Sequence, residues 1–203
     1  LPHTVIDFWR MVYEHNCGSI VMLNLPDQDE TYAQYWLDEE TCECGPFIIE
    51  PLSKDTTNAD ITVRELKLTY QPQSPSLLGQ TKEDKQRKVN QFQLNCWPGT
   101  ESVPSSKTAL ISLIDLVERS QFKTGNGPVL IHCHDGAMHS GLYAAVSCIW
   151  EQMKLEQEVD IFHTVKHLRY HRPQLIQSME QYQYCYQMVL AYQAEFQTYA
   201  NFR

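Results

Sequence analysis

"VLIHCHDGAMHSG", residues 129–141, decides how this chain is to be read. An apolar run, Val129-Leu130-Ile131, leads into His132-Cys133. A short loop with Gly136 follows, and Ser140-Gly141 opens a stretch with helical spacing. A strand, a glycine-containing loop and a helix N-terminus in that order aim backbone N–H groups at one point, and the helix dipole adds its positive end. Backbone donors at 134–139 can hold an anion with no side-chain charge. A cysteine at the head of such a loop lies in the same field, which favours its thiolate. Ser140 is placed to donate a hydrogen bond to the sulfur. The plainer reading of Cys133 is a small buried hydrophobe.

The rest of the chain bounds that reading. It has 203 residues, enough for one domain with a sizeable core, and 42% of them are hydrophobic. No apolar run approaches a membrane span, so no direct membrane insertion is expected. The opening Leu1-Pro2-His3 carries no charged-then-apolar leader pattern. A net charge of −9 argues against nonspecific nucleic-acid binding. It says little about phosphate ligands, because one local loop binds an anion on an acidic protein. Seven cysteines without framework spacing favour a reducing compartment. Cys42-Glu43-Cys44 is too tightly spaced for a structural zinc knuckle and has no matching second pair, so it reads as loop or strand. No metal or cofactor is expected.

Periodicity predicts an amphipathic helix over 4–16, with Val5, Phe8, Trp9 and Val12 on one face. It predicts strands at 19–24, 46–53, 61–70, 89–97 and a buried one at 129–133. Residues 27–40 read as loop and short helix, the polar stretch from Tyr70 to Val89 as a hairpin tip, and 124–128 as a turn. Helices are predicted at 105–121, 141–155, 159–171 (stopped by Pro173) and 178–196. With strands mostly early and helices late, the expected class is α/β, a mixed sheet with helices on its faces.

Four segments resemble the protein-tyrosine phosphatase family. The opening loop, His132-Cys133-His134-Asp135-Gly136-Ala137-Met138-His139-Ser140-Gly141, resembles that family's signature loop. "DFWRM" (7–11), "FQLNCWPG" (92–99) and "RPQLIQSMEQYQYCY" (172–186) resemble its other motifs, in order, across nearly the whole chain. The last supplies Gln177 and Gln181 as the family's glutamines. "VDIFHTVKHLR" is similar to receptor-type members, which often carry two such domains in tandem. The resemblance implies a phosphatase-like fold with a twisted mixed central sheet flanked by helices on both faces. It implies a single domain over 1–203 that lacks the family's N-terminal phosphotyrosine-recognition loop.

The resemblance also implies a two-step reaction. A cysteine thiolate attacks phosphorus while an aspartic acid protonates the leaving oxygen. Water positioned by glutamine then hydrolyses the phosphocysteine, and an arginine holds the equatorial oxygens throughout. Here the acid's position is Gly99 and the arginine's is His139. Glycine has no proton to give, and general acid catalysis contributes about 10²–10⁴. Imidazole lacks the guanidinium's bidentate fork; a lost preorganised donor costs on the order of 3–4 kcal/mol. His139 is read as filling the vacated space. Asp135 stands where the family has alanine; its side chain need not enter the backbone cradle, and even beside it a second negative charge opposes phosphate binding. Met138 stands where the family has glycine, so a backbone angle or room for ligand is expected to be lost. Glu101 reaches the acid's place only if the loop rearranges.

The leading expectation is therefore an impaired, pseudophosphatase-type second domain of a single-pass receptor, on the cytoplasmic side of the plasma membrane. It keeps Cys133 as a vestigial nucleophile. Its expected partners are a catalytic phosphatase domain of the same chain and other cytoplasmic signalling proteins. The alternatives are a weak phosphatase, active on easier esters, and a redox sensor through Cys133. A cysteine hydrolase with His132 or His134 as base is disfavoured, because neighbours on one strand point to opposite sides.

Overall fold

The computed structural model describes residues 1–25, 33–71, 86–125 and 127–200, with side chains through 194. The expected hairpin tip lies mostly outside them, at 72–85, as do 27–32 of the expected loop and short helix and residue 126 of the expected turn. In chain order the elements are α1 (Val5–Glu14), β1 (Ser19–Met22), β2 (Cys42–Cys44), β3 (Phe47–Asp55), β4 (Ile61–Tyr70) and β5 (Gln86–Leu94). Then follow α2 (Lys107–Thr124), β6 (Val129–His132), α3 (Met138–Glu156), α4 (Ile161–His171) and α5 (Met179–Ala200). The strands form one mixed sheet in the order β2-β3-β4-β5-β1-β6. β1 runs parallel to both β5 and β6, and the other pairs are antiparallel.

Alternation along the strands builds two cores. Leu66 and Leu68 of β4, Val89 of β5, and Ile20 and Met22 of β1 face α1, whose Trp9 and Val12 are fully buried there. Val21, Phe92 and Leu94 face the other way, onto α2, α3 and α5. Helices thus cover both faces, as the α/β expectation requires. Ser106 caps α2 by accepting from the Ala109 N–H, and Asp160 caps α4 by accepting from His163.

Three expectations change. Residues 33–40 contain no helix; Tyr35 and Trp36 instead plug the α1 side of the sheet, 6% and 2% exposed. β5 stops at Leu94, so Trp97 sits in the loop beyond it. β6 is half-buried and not buried, because it is the sheet's edge among the described residues. Its C-terminal end, next to β1, carries Cys133. Parallel strands at that point direct both their ends and the loops after them to one side of the sheet.

The sheet face under α1 also carries polar groups. Arg64 of β4, opposite Gln91 of β5, donates from Nε to Asp38 at 2.6 Å and from Nη1 to Gln91 and Gln93 at 3.1 and 2.8 Å. Gln91 in turn donates to the Tyr35 hydroxyl at 2.7 Å. A guanidinium buried on this face therefore has acceptors for its fork, the condition for tolerating a charge there.

Candidate functional site

The loop from Cys133 to Ala137 joins β6 to α3. It turns at Gly136, whose φ of +65° is left-handed and whose missing side chain leaves room for Arg172. Arg172 donates to the Asp135 carbonyl at 3.2 Å and so props the loop from outside. Inside the loop the geometry departs from expectation. Asp135 turns its carboxylate inward: Oδ1 accepts from the backbone N–H of Ala137 at 2.9 Å and of Met138 at 3.0 Å. The same oxygen accepts from Cys133 Sγ at 3.2 Å. The side chain that need not have entered the cradle is the group that fills it. Burial raises the Asp135 pKa, but the hydrogen bonds from Ala137, Met138 and Cys133 outweigh it and leave it below the ordinary carboxylate value.

A thiol, not a thiolate, makes the Cys133 contact. The donors at the head of α3 converge on a carboxylate and not on the sulfur. Ser140 does not assist either: its Oγ is buried without a hydrogen-bond partner among the described residues, where a bond to Cys133 was expected. His134 is exposed, and Ala137 is buried as the residue that caps α3. Met138 takes an ordinary negative φ, so the glycine angle it was expected to forfeit is not used in this loop.

His139 points away from the loop's mouth. It is 3% exposed and stacks on Trp97, with ring centroids 4.1 Å apart at 20°. Its Nδ1 lies 2.9 Å from the Leu23 carbonyl oxygen and its Nε2 lies 3.0 Å from that of Glu101. Carbonyls only accept, so the neutral ring satisfies one of these contacts and the imidazolium both. The Trp97 indole N–H donates to the same Glu101 carbonyl at 3.0 Å. The Trp97-Pro98-Gly99 loop is thereby fastened to α3 through backbone atoms. Gly99 is exposed, with open space where a side chain would project. The Glu101 backbone is tied down and its side chain is exposed.

Gln181 completes the fastening. It is 1% exposed, and its Nε2 donates to Met138 O at 2.9 Å and Ser102 O at 3.1 Å. Its Oε1 accepts from the Gln177 N–H at 3.0 Å. Both ends of the amide are spent on backbone, which leaves it no group for positioning water. The Gln177 side chain borders a groove between α4 and α5, not the cavity at Cys133. That second cavity, about 510 Å³, is lined by Cys133, His132, His134, Tyr35 and α1 residues including Phe8.

Sequence reasoning missed Tyr35 and Gln91. Gln91 donates to the Tyr35 hydroxyl at 2.7 Å, and that hydroxyl shares a hydrogen bond of 2.8 Å with His132 Nε2. Burial disfavours the charged imidazole of His132 and lowers its pKa to about 4. The detectable signal was the pair Gln91 and Gln93, polar residues spaced to face the α1 core. The linkage has a definite sign. An unfolded histidine takes up a proton near about pH 6.5, whereas His132 resists until about 4. Stability is therefore fully present above about pH 6.5 and falls as pH drops through that window. A thermal-melting series from pH 7 to 4.5 should show this decline, and His132→Gln should flatten it; an unchanged slope in the variant would contradict the buried neutral imidazole.

Comparison with known proteins agrees with this arrangement. A family model described as protein-tyrosine phosphatase matches residues 1–191. Human receptor-type tyrosine-protein phosphatase alpha is 38% identical over 205 residues, covering 100% of this chain and 24% of the relative. Mouse receptor-type tyrosine-protein phosphatase epsilon is 39% identical over 207 residues, 100% of this chain and 28% of the relative. Chicken receptor-type tyrosine-protein phosphatase S is 35% identical over 204 residues, 99% of this chain and 13% of the relative. The chain thus spans about a quarter or less of the length of these relatives. Among the described residues no helix is long and apolar enough to cross a membrane. With a mixed sheet, a cysteine-headed loop at the end of β6 and a family match across nearly its whole length, the chain belongs to the protein-tyrosine phosphatase family.

Proposed function

We propose that this domain is a catalytically silent member of its family, the second phosphatase-like domain in the cytoplasmic part of a receptor, and that it acts by binding and regulation. The observation that carries the reading is Asp135. Its carboxylate takes two backbone donors of the loop and the thiol proton of Cys133. A phosphate dianion entering the loop would have to displace a carboxylate of like charge from those donors. Two further features support the reading. Gly99 has no proton to offer a departing phenolate, and both nitrogens of His139 face carbonyl oxygens. Cys133, Gln177 and Gln181 are vestiges of a catalytic set, and Gln181 now serves as a strut.

Loop variants test the silence of the site. The wild-type domain should hydrolyse no phosphotyrosine peptide at a rate within a hundredfold of about 1–10³ s⁻¹, the range of ordinary enzymes. Gly99→Asp with His139→Arg should remain near that floor. Adding Asp135→Ala should both admit tungstate, seen by calorimetry, and raise turnover by at least about tenfold. A double variant that already turns over at full rate with Asp135 in place would overturn the reading.

The regulatory half rests on an intact fold joined to its neighbour. A domain on a short tether meets that neighbour at an effective concentration in the millimolar range, so a weak interface is occupied. A catalytic domain from the same protein, measured alone and in tandem with this one, should differ in turnover, melting temperature or oligomeric state. If all three are unchanged, the domain is a passive spacer.

A further inference from the structure

We propose that the groove between α4 and the start of α5 is a docking site for an acidic linear peptide with apolar anchor side chains, supplied by another protein. The groove encloses about 1050 Å³, room for several side chains of a bound segment. Its apolar walls are unusually open. Phe162 is 57% exposed, Tyr170 85% and Met179 69%. The apolar surface does not stop at the groove: Tyr182, Tyr186 and Leu190 continue it along the outer face of α5 at helical spacing. Contiguous exposed apolar surface of this kind marks an interaction site more often than scattered single residues do.

Charge selects the occupant. Lys166 and Arg169 line the groove together with His163 and His167, and among the described residues no carboxylate lines it. Among the described residues neither Lys166 nor Arg169 forms an ion pair. Arg169 donates from Nη1 to the Ile176 carbonyl at 2.9 Å, which positions the guanidinium and leaves other donors of the fork for a ligand. The acid at the foot of α4, Asp160, is bound to His163 at 2.7 Å. On a chain of net charge −9 this is a local inversion of sign, and it complements carboxylates. A membrane surface is the poorer match. Recognition of anionic lipid usually draws on about four to eight clustered Lys or Arg, and the groove is concave with two.

This inference deepens the reading of the domain as a binding module and rests on it only in that respect. The test uses the whole chain and a fluorescein-labelled peptide of alternating Glu-Glu and Leu-Phe pairs, followed by anisotropy. A peptide with Lys in place of Glu, and phosphatidylserine vesicles, are run in parallel. The acidic peptide should bind saturably and more weakly as salt rises. Lys166→Glu and Tyr170→Ala should each weaken it about tenfold. Phe122→Ala, on α2 and 96% exposed, should not. The groove substitutions are at solvent-facing positions, so an unchanged melting temperature confirms that the fold is kept. Absence of saturable binding, equal binding of the lysine peptide, indifference to both groove variants, or binding to vesicles alone would each overturn the proposal. Failure here leaves the silence of the Cys133 loop untouched, and recovery of turnover by that loop leaves the groove untouched.

Discussion

The site is organised around one carboxylate placed where an incoming anion would sit. A loop that ends in a helix N-terminus presents several N–H donors, and such donors cannot be left unpaired at little cost. A phosphate-binding loop meets this need with its ligand. Here Asp135 meets it from within the chain, through Ala137 and Met138. The consequences spread outward from that contact. Two of the donors at the helix end are satisfied without any ligand, and Cys133 donates its proton to the same carboxylate. His139 is free to turn inward, stack on Trp97 and reach the carbonyls of Leu23 and Glu101.

That inward turn changes what the surrounding motifs do. The resemblance places the general acid on the loop after β5. That loop is tied through the Glu101 carbonyl to Trp97 and His139, and through the Ser102 carbonyl to Gln181. Ser102 also bonds Glu180 of α5. Each contact lends stability to this arrangement of the loop. A polar chain from Asp38 through Arg64, Gln91 and Tyr35 to His132 braces the α1 side, where burial keeps His132 neutral. Residue types suited to catalysis thus persist with their hydrogen bonds spent on structure.

Much of this was legible in the residues. Alternation marked β4 at Ile61–Tyr70, helical spacing and a serine cap marked α2, and motif order marked the loop and its glutamine segment. What escaped was direction and partner. Asp135 could be seen, but whether it faced into the loop depended on the backbone turn at Gly136. A usable signal was present: an aspartate two and three residues ahead of Ala137 and Met138, at the mouth of a helix, has the pattern of a capping side chain. Tyr35 escaped because it lies in irregular chain, where no periodicity assigns a face. The half-exposure of β6 escaped because an edge is a property of the whole sheet, and its apolar run reads the same at an edge as at the centre. The short helix expected near Tyr35 and Trp36 did not form in the described part of that stretch, since both side chains are drawn into the α1 core.

The central claim, that a built-in carboxylate occupies the loop, is tested most directly by following the amide protons of Ala137 and Met138 by NMR as pH is lowered. If Asp135 accepts from both, the two resonances should move together, with a midpoint below the ordinary carboxylate value of about 3.9, and Asp135→Asn should abolish that common transition. Amide shifts that ignore the titration, or that titrate alike in the Asp135→Asn variant, would contradict it.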